Sequence, residues 1–246
     1  MDNILASMWE EFVGKRSEME KEFYRSILCA HDCNRIFDAA TGTGDDSIDL
    51  ILAGFDVTSN EINEDLRIKS HKKAGESGVE LVFTSYDWRK LPGDMIHQYD
   101  GMICLGNSLT ILRHPGEQAK ALRKMRRSLR DGGVLIVDQR NYDYILDSRE
   151  DIINNGLRFK YEIRYCGKTI RARPCSIRDN LVVMEYVDNK ARQGPAFPPI
   201  LKMYPFRFHE LRAQIINSGF RDVTSYSDLE LGYNRDADFH QHVCVK

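Results

Sequence analysis

The stretch Arg35-Ile-Phe-Asp-Ala-Ala-Thr-Gly42-Thr-Gly44-Asp-Asp-Ser47 decides the fold of this chain. Its first residues predict a buried strand over 35–39, and the two glycines predict a tight loop that opens a helix at Asp45 or Asp46. Glycines two residues apart allow the backbone to turn sharply and to approach a ligand closely. In α/β proteins such a loop holds a nucleoside at the carboxyl ends of the strands.

The residues after the loop indicate which nucleoside fits. A G-x-G-x-x-G/A loop seats a pyrophosphate on the helix N-terminus, but here Ser47 stands at the third glycine position and Asp45 and Asp46 would repel phosphate. The same aspartates are favourable at a helix N-terminus. No Gly-Lys-Ser/Thr sequence follows, which excludes a Walker loop. The loop therefore favours a nucleoside without phosphates, of which S-adenosylmethionine is the common one, over NAD.

Length and composition set broad limits. The 246 residues suffice for one large domain, or for one domain with an inserted subdomain. The formal net charge of −2 predicts no nucleic-acid partner. No apolar run reaches membrane-spanning length and the N-terminus lacks the pattern of a signal peptide, so we expect a cytoplasmic protein without a membrane partner. Cys29 and Cys33 have no second pair at zinc spacing, so we expect no metal.

Strand and helix patterns alternate along most of the chain. A helical pattern over 4–30 precedes strands predicted at 35–39, 54–59, 80–84, 100–105 and 134–138, with helices between them, and two more strands are predicted at 220–225 and 240–245. This order predicts an α/β fold with a doubly wound, mainly parallel, Rossmann-like sheet of seven strands. Alternating patterns between 150 and 203 predict a small antiparallel β insertion after strand five.

Polar and small residues follow the carboxyl ends of the predicted strands, where a ligand binds in such a sheet. Glu61, after strand two, is placed to accept hydrogen bonds from ribose hydroxyls, and its plain alternative is a solvated helix cap. The other positions are Ala39, Gly42 and Gly44 after strand one, Asp87 and Trp88 after strand three for the adenine, Leu105, Gly106 and Asn107 after strand four, and Asp138 to Asp143 after strand five. Each position alone is a weak signal, but together they predict a class I methyltransferase core.

The chain resembles the glycine N-methyltransferase and glycine/sarcosine N-methyltransferase family. The resemblance rests on the glycine loop with Asp46-Ser-Ile, on Gly54-Phe-x-Val-Thr-Ser59 and on Asp87-Trp88. It rests more specifically on Ile103-Cys-Leu-Gly-Asn-Ser108 and Asp138-x-Arg-Asn-Tyr-Asp143. It runs from about residue 9 to 143 and returns at Tyr204-Pro205. The resemblance implies an S-adenosylmethionine-dependent N-methyltransferase that transfers a methyl group to the amine of glycine, sarcosine or a related amino acid by direct in-line displacement.

The family also implies roles for single residues. Arg140 would hold the carboxylate of the amino acid, Asn107 would lie beside the substrate, and Tyr186 and Tyr204 fall where the family has active-site tyrosines. Tyr142 is a further residue whose hydroxyl could orient the amine. At the donor, Trp9 would cover the methionine moiety and Arg16 would lie near its carboxylate. The chemistry of Arg140 agrees, because a guanidinium offers a rigid fork to a carboxylate; the plain alternative is a surface arginine paired with an aspartate.

These assignments divide the chain into three predicted parts. Residues 1–30 form a helical lid, residues 31–145 plus 204–246 form the core that binds S-adenosylmethionine, and residues 146–203 form an antiparallel insertion that covers the acceptor site. The predicted partner is a small-molecule amine that carries a carboxylate, and the protein is either a monomer or a homo-oligomer.

Several departures and alternatives stay open. Gln139 stands where the family has a histidine, and Phe159 stands near an expected tyrosine, so a heterocyclic or natural-product amine is an alternative acceptor. A base-methylating enzyme is disfavoured, because the strand-four loop lacks Asn/Asp-Pro-Pro-aromatic. A non-catalytic binding module is disfavoured by the presence of Glu61, Gly106 and Arg140 together.

Overall fold

The structure, a computed structural model, describes Met8 and residues 16–159, 162–163, 170–188 and 198–246. The first half alternates helices and strands: α1 (Glu18–Ala30), β1 (Arg35–Asp38), α2 (Asp45–Leu52), β2 (Asp56–Asn60), α3 (Glu64–Glu76), β3 (Val82–Thr84), β4 (Tyr99–Cys104), α4 (Pro115–Ser128) and β5 (Leu129–Arg140). Short 3₁₀ turns lie at Trp88–Lys90, Gly93–Met95 and Ser108–Ile111.

The second half begins with two short helices and a small sheet. Its elements are α5 (Tyr142–Asp147), α6 (Arg149–Asn155), β6 (Arg158–Phe159), β7 (Glu162–Ile163), β8 (Ile170–Arg178), β9 (Leu181–Asp188), β10 (Ile200–Met203), α7 (Phe208–Asn217), β11 (Asp222–Ser227), β12 (Glu230–Leu231) and β13 (Phe239–Val245).

The main sheet confirms the predicted fold class. Its order is β12-β11-β13-β5-β4-β1-β2-β3, and the strands from β5 to β3 run parallel. β13 and β11 add to it antiparallel. Among the residues that the structure describes, this sheet has eight strands and not the predicted seven. The extra strand, β12, pairs with β11 across a two-residue turn in which Asp228 and Leu229 both have positive φ, a geometry that a tight hairpin needs.

Both faces of the sheet are covered, which explains the unbroken apolar runs in its strands. In β1, Ile36 packs with Leu28 of α1 on one face, whereas Phe37 packs with Leu122 of α4 on the other. Successive side chains of a strand point to opposite faces, so a strand buried on both sides is apolar at consecutive positions. The same arrangement brings the carboxyl ends of β1, β2, β4 and β5 to one edge of the sheet.

The fifth strand is longer than its pattern predicts. The strand was predicted over 134–138, but the segment Asp131-Gly-Gly133 also lies inside β5, and the preceding helix ends at Ser128. Gly132 has a φ of +75°, and a Cβ on Gly133 would lie 2.8 Å from the carbonyl oxygen of Asp100. Close approach of the neighbouring chain therefore explains Gly133, and the pair of glycines allows an irregularity within the strand.

The predicted antiparallel insertion is present as the sheet β10-β9-β8. Before this sheet the chain forms the helix α6, at residues where strand character was expected. This sheet has an apolar cluster of its own, which it shares with α5 and α6. Among the buried members are Tyr142 of α5, Tyr186 of β9 and Met203 of β10. The insertion is thus tied to the end of β5, since α5 follows that strand directly.

Two histidines lie on a buried face of β13. His240 and His242 are fully buried, their Nδ1 atoms lie 2.9 Å from the hydroxyls of Ser227 and Ser225, and the ring of Phe208 packs against both. Burial lowers the pKa of His240 to about 4 and that of His242 to about 3. Both rings are therefore neutral in the folded protein at pH values where an unfolded chain binds protons.

We expect this burial to make stability fall in mild acid. Below pH 6.5 the unfolded state protonates both histidines while the folded state does not, so by pH 5 each destabilises the fold by roughly 1–2 kcal/mol. Burial raises the pKa of Asp38 to about 7, which acts in the opposite sense, so the test is a difference between proteins. In urea unfolding at pH 7.5 and pH 5, the loss of stability in His242→Asn should be smaller than in the wild type by that amount. Equal losses would contradict the prediction.

Candidate active site

A cleft of about 1280 Å³ lies at the carboxyl ends of the parallel strands. The chain passes from β1 to β2 on one side and reaches β4 on the other, so β1 and β4 flank the point where the strand order reverses. Open α/β sheets bind their ligands at this point. The residues that follow these strands line the cleft, and the helices lie on the two faces of the sheet.

The buried side chain of Asp38 fixes the glycine loop through hydrogen bonds. Asp38 accepts hydrogen bonds from the Ser47 hydroxyl at 2.7 Å and from the Ala40 amide at 3.2 Å. The Ser59 hydroxyl lies 2.9 Å from that of Ser47. Ser47 at the third glycine position therefore serves to fix the loop. Its role explains why a residue other than glycine stands there.

Only part of the loop reaches the cleft. Ala39 and Gly42 line it, and Gly42 has a φ of +56°. Gly44 lies against α3 instead: its φ is +91°, and a Cβ at this position would lie 2.9 Å from the Cβ of Ser70. Gly42 thus lets the backbone approach a ligand, and Gly44 lets the loop approach a helix.

Glu61 is fixed at the end of β2. Its Oε2 accepts a hydrogen bond from the Gly42 amide at 3.0 Å, and its Oε1 accepts one from the Asn63 amide at 2.8 Å. Burial raises the pKa of the carboxyl group. Each oxygen has a further lone pair, so the carboxylate can still accept hydrogen bonds from two hydroxyls of a ligand.

Asp87 and Trp88 lie on the wall beyond β3. Asp87 accepts hydrogen bonds from the guanidinium of Arg89, at 2.7 Å for the shortest, and these bonds lower its pKa. An adenine amino group at this carboxylate would therefore share it with Arg89. The indole Nε1 of Trp88 donates to the carbonyl oxygen of Ala39 at 2.7 Å, which holds the ring beside the glycine loop.

Asn107 follows β4 and is buried, and its polar groups bond to the protein. Its backbone N–H donates to Asp138 Oδ1 at 2.7 Å, and its side-chain Nδ2 donates to the Tyr142 hydroxyl at 2.8 Å. Its Oδ1 accepts from the backbone amide of Arg140 at 3.1 Å. The residue has a φ of +65°, a conformation that asparagine tolerates. Leu105 and Gly106 line the cleft, whereas Asn107 lies behind them and joins β4 to the end of β5.

Arg140 is the last residue of β5 and lines the cleft. It is 7% exposed, and its guanidinium carbon lies 5.7 Å from the ring centre of Phe239, the residue directly opposite on β13. Arg140 is therefore not a surface residue. Arg140 is a buried cation at the edge of a cavity, and such a group favours an anionic partner.

The predicted tyrosines fall into two groups. Tyr142 and Tyr186 are fully buried within electrostatic reach of Arg140, and burial raises the pKa of Tyr186 to about 12. Tyr204 lies elsewhere, with its amide donating to the carbonyl oxygen of Thr110 at 2.7 Å. The structure thus brings Asn107, Tyr142 and Tyr186 together beside Arg140, but neither these three residues nor Tyr204 are among those that line the cleft.

At the other wall, Arg16 precedes α1 and lines the cleft. Its guanidinium donates to both oxygens of Asp46, at 2.5 and 3.0 Å, and lies 5.2 Å from the ring centre of Tyr24. Trp9, the other predicted contact of the donor, lies outside the described residues.

Comparison with known proteins decides the family. The glycine/sarcosine N-methyltransferase of Aphanothece halophytica is 37% identical to this chain over 246 residues, covering 97% of this chain and 86% of the relative. The chain belongs to the glycine/sarcosine N-methyltransferase family. A relative of the same description from Halorhodospira halochloris is 34% identical, covering 97% of this chain and 85% of its own length.

Two further comparisons agree on the class of this methyltransferase. The family model described as "Methyltransferase domain" matches residues 36–133. A solved S-adenosylmethionine-dependent methyltransferase from Clostridium acetobutylicum superposes with a TM-score of 0.76 over 99% of this chain and 98% of the other, at 13% identity. The protein is an S-adenosylmethionine-dependent methyltransferase with the class I fold.

The cleft of the methyltransferase fits its donor. Two carboxylates at the first turn of α2, Asp45 and Asp46, disfavour a phosphate, and the carboxylate of Glu61 suits a ribose. In the part of the chain that the structure describes, no group of three or more His, Cys, Asp or Glu residues is placed to hold a metal ion. No helix within those same segments is long and apolar enough to span a bilayer.

Sequence reasoning missed part of this site. Tyr24, Arg89 and Gln241 line the cleft of the methyltransferase and were not predicted. Asp46 and Asp138 were singled out, but their ion pairs with Arg16 were not predicted. The pairing of Asp46 with Arg16 carried no local signal, because the two residues lie thirty positions apart in the chain. Gln241 carried no local signal: it reaches the cleft because β13 pairs with β5, which places it opposite Asp138.

Proposed function

We propose that this methyltransferase transfers methyl groups from S-adenosylmethionine to the amines of glycine and sarcosine. The observation that carries the proposal is Arg140, a buried cation at the end of β5 that lines the cleft. The names of relatives that are 31–37% identical over nearly the whole chain support the same acceptors. An amino acid without a charged side chain presents one carboxylate, and a guanidinium is the group that binds a carboxylate with both charge and orientation.

The donor and the acceptor occupy different parts of the cleft in this proposal. Glu61 at the end of β2 and Arg140 at the end of β5 are separated by three strand spacings, about 14 Å at the usual 4.8 Å between strands. The nucleoside of the donor lies on the β2 side, held by Glu61, Gly42 and the residues after β3. The amino acid lies on the β5 side, held by Arg140.

Positioning supplies most of the acceleration. S-adenosylmethionine, when bound, supplies an electrophilic methyl group on its sulfonium. Arg140 holds the acceptor by its carboxylate, which directs the amine away from the sheet edge and toward the donor. Tyr142 and Tyr186 are neutral phenols, whose pKa burial raises further above its ordinary value of about 10. They are not among the residues that line the cleft, and the Tyr142 hydroxyl bonds to Asn107, so in this proposal they support Arg140 from behind rather than contact the amine. Asn107 holds the Tyr142 hydroxyl and the backbone of Arg140 in place.

We also propose covers for the two halves of the cleft. The insertion, residues 146–203, covers the acceptor side, since Leu201 of β10 lines the cleft and Met203 lies 3.3 Å from the Asn107 side chain. Residues 1–30 cover the donor side, where Arg16 lines the cleft. Exclusion of water by such covers strengthens the ion pair between Arg140 and its ligand.

A methyl-transfer assay over a panel of acceptors tests the proposal. Glycine and sarcosine should be methylated with kcat/KM at least about a hundredfold above that of ethylamine or imidazole, which lack a carboxylate, because a charged bidentate pair contributes several kcal/mol. Dimethylglycine reports whether a third methyl group is added. Equal transfer to amines with and without a carboxylate would overturn the proposal and favour a heterocyclic or natural-product amine as the acceptor.

A further inference from the structure

Arg16 is held in an unusually acidic environment. Its Nε and Nη2 donate to the two oxygens of Asp46, its Nη2 lies 4.0 Å from Asp138, and its Nη1 lies 3.7 Å from Glu20. The ring of Tyr24 packs against the guanidinium. One side chain therefore has three carboxylates within ion-pair distance, but it makes two parallel hydrogen bonds with Asp46 only. Such a fork fixes the plane of the guanidinium as well as its position.

Asp46 is itself rigidly placed. It is the second residue of α2, and the residues on either side of it are fixed by hydrogen bonds. Asp45 bonds to the Thr43 hydroxyl at 2.8 Å and to Lys73 at 2.7 Å, and Ser47 bonds to Asp38. The carboxylate of Asp46 thus projects from a fixed helix end. Arg16, by contrast, lies before the start of α1, and its long side chain has many rotamers.

We propose that Asp46 is a positioning residue that holds Arg16 ready for the carboxylate at the amino-acid end of S-adenosylmethionine. The inference rests on the donor site of the proposed function and goes beyond it by assigning a role to a residue behind the ligand. Asp46 uses the Nε–Nη2 edge of the guanidinium, so N–H groups of Nη1 are left to bind a ligand in the cleft that Arg16 lines. Without Asp46, Arg16 can turn to Asp138 or Glu20.

The chain provides a matched control. Asp45 and Asp46 are adjacent, both lie in the first turn of α2, and both line the cleft. Asp45 bonds to Thr43 and Lys73, whereas Asp46 bonds to Arg16. Asp45→Asn and Asp46→Asn therefore remove the same charge from the same helix end, and only the second removes the ion pair and one of the two hydrogen bonds with Arg16.

The test compares two ligands by titration calorimetry: S-adenosylhomocysteine, which has the amino-acid end, and 5′-methylthioadenosine, which lacks it. Asp46→Asn should weaken S-adenosylhomocysteine about tenfold and 5′-methylthioadenosine less than twofold, because only the first ligand uses Arg16. Asp45→Asn should change both less than threefold. Asp46→Glu, which restores the carboxylate, should recover part of the loss.

The contrary outcomes are distinct. Tighter binding of S-adenosylhomocysteine by Asp46→Asn would overturn the proposal, since Asp46 would then compete with the ligand for Arg16. Equal weakening of both ligands would also overturn it, since Asp46 would then support the loop alone. An unchanged affinity for S-adenosylhomocysteine in Arg16→Ala would refute the contact between Arg16 and the donor, and with it the positioning role of Asp46. Failure of the acceptor assignment leaves these titrations unaffected, because neither ligand is an acceptor.

Discussion

Arg140→Ala is expected to abolish most methyl transfer to glycine, with kcat/KM lowered by a factor of about 30 to several thousand. Removal of one partner from a buried, hydrogen-bonded charge pair costs roughly 2–5 kcal/mol, and here the lost partner is the cation that binds the acceptor carboxylate. The loss should appear mainly in KM for glycine, because the interaction is made with the ground state as well as with the transition state. Steady-state kinetics with glycine and sarcosine measures it.

Controls separate binding of the acceptor from damage to the fold. Arg140→Lys keeps the charge but loses the fork, so it should lie between the alanine variant and the wild type. S-adenosylhomocysteine should bind both variants as it binds the wild type, since the donor lies on the β2 side. The hydrogen bond from the backbone of Arg140 to Asn107 survives either substitution. Unchanged saturation by glycine in Arg140→Ala would refute the carboxylate contact.

The second large effect is expected at Glu61. Glu61→Gln should raise the dissociation constant of S-adenosylhomocysteine about 10- to 100-fold, equivalent to about 1.4–2.8 kcal/mol. The carboxylate accepts backbone N–H groups at both of its oxygens, from Gly42 and Asn63. An amide of the same shape turns an NH₂ group toward one of these donors, which breaks that contact and reduces the capacity to accept ribose hydroxyls.

Glu64→Gln is the matched control for Glu61→Gln. Glu64 lines the same cleft three residues later, at the start of α3, and is exposed, so its substitution removes the same charge without breaking a buried hydrogen bond. Its effect on the dissociation constant should be less than threefold. Titration calorimetry of both variants decides the matter: similar constants for Glu61→Gln and Glu64→Gln would show that Glu61 acts through its charge alone. An unchanged affinity in Glu61→Gln would exclude the ribose role.

Some features of the site follow directly from local sequence. The apolar pattern of the sequence located β1, β2 and β4, and two glycines located the loop between β1 and α2. Both glycines have positive φ in the structure. Asp45 and Asp46 argued against a phosphate-bearing ligand, because charge at a helix N-terminus is a local property. The position of Arg140 at the ligand edge was predictable, because Asp138-x-Arg-Asn-Tyr-Asp143 follows the predicted strand five and the carboxyl ends of parallel strands meet at one edge of the sheet.

Other features depend on contacts between distant residues. Asn107 was predicted to lie beside the substrate, yet its side chain bonds to Tyr142 and to the backbone of Arg140, more than thirty residues away. A local contact was missed as well: Asp87 was predicted to accept the adenine amino group, yet Arg89, two residues further along the chain, already bonds to it. A side chain's hydrogen-bond partners are selected by the folded surroundings, so residue type alone does not reveal them.

The sequence by itself determined that the chain winds a mainly parallel sheet, that a glycine loop follows its first strand, and that the ligand carries no phosphate. These properties follow from periodicity, backbone conformation and local charge. Only the tertiary structure decided that Arg16 is held by Asp46 and that Phe239 and Gln241 face Arg140 and Asp138 across the pairing of β5 with β13. The physical reason is that register and ion pairing are set by packing between segments that lie far apart in the chain.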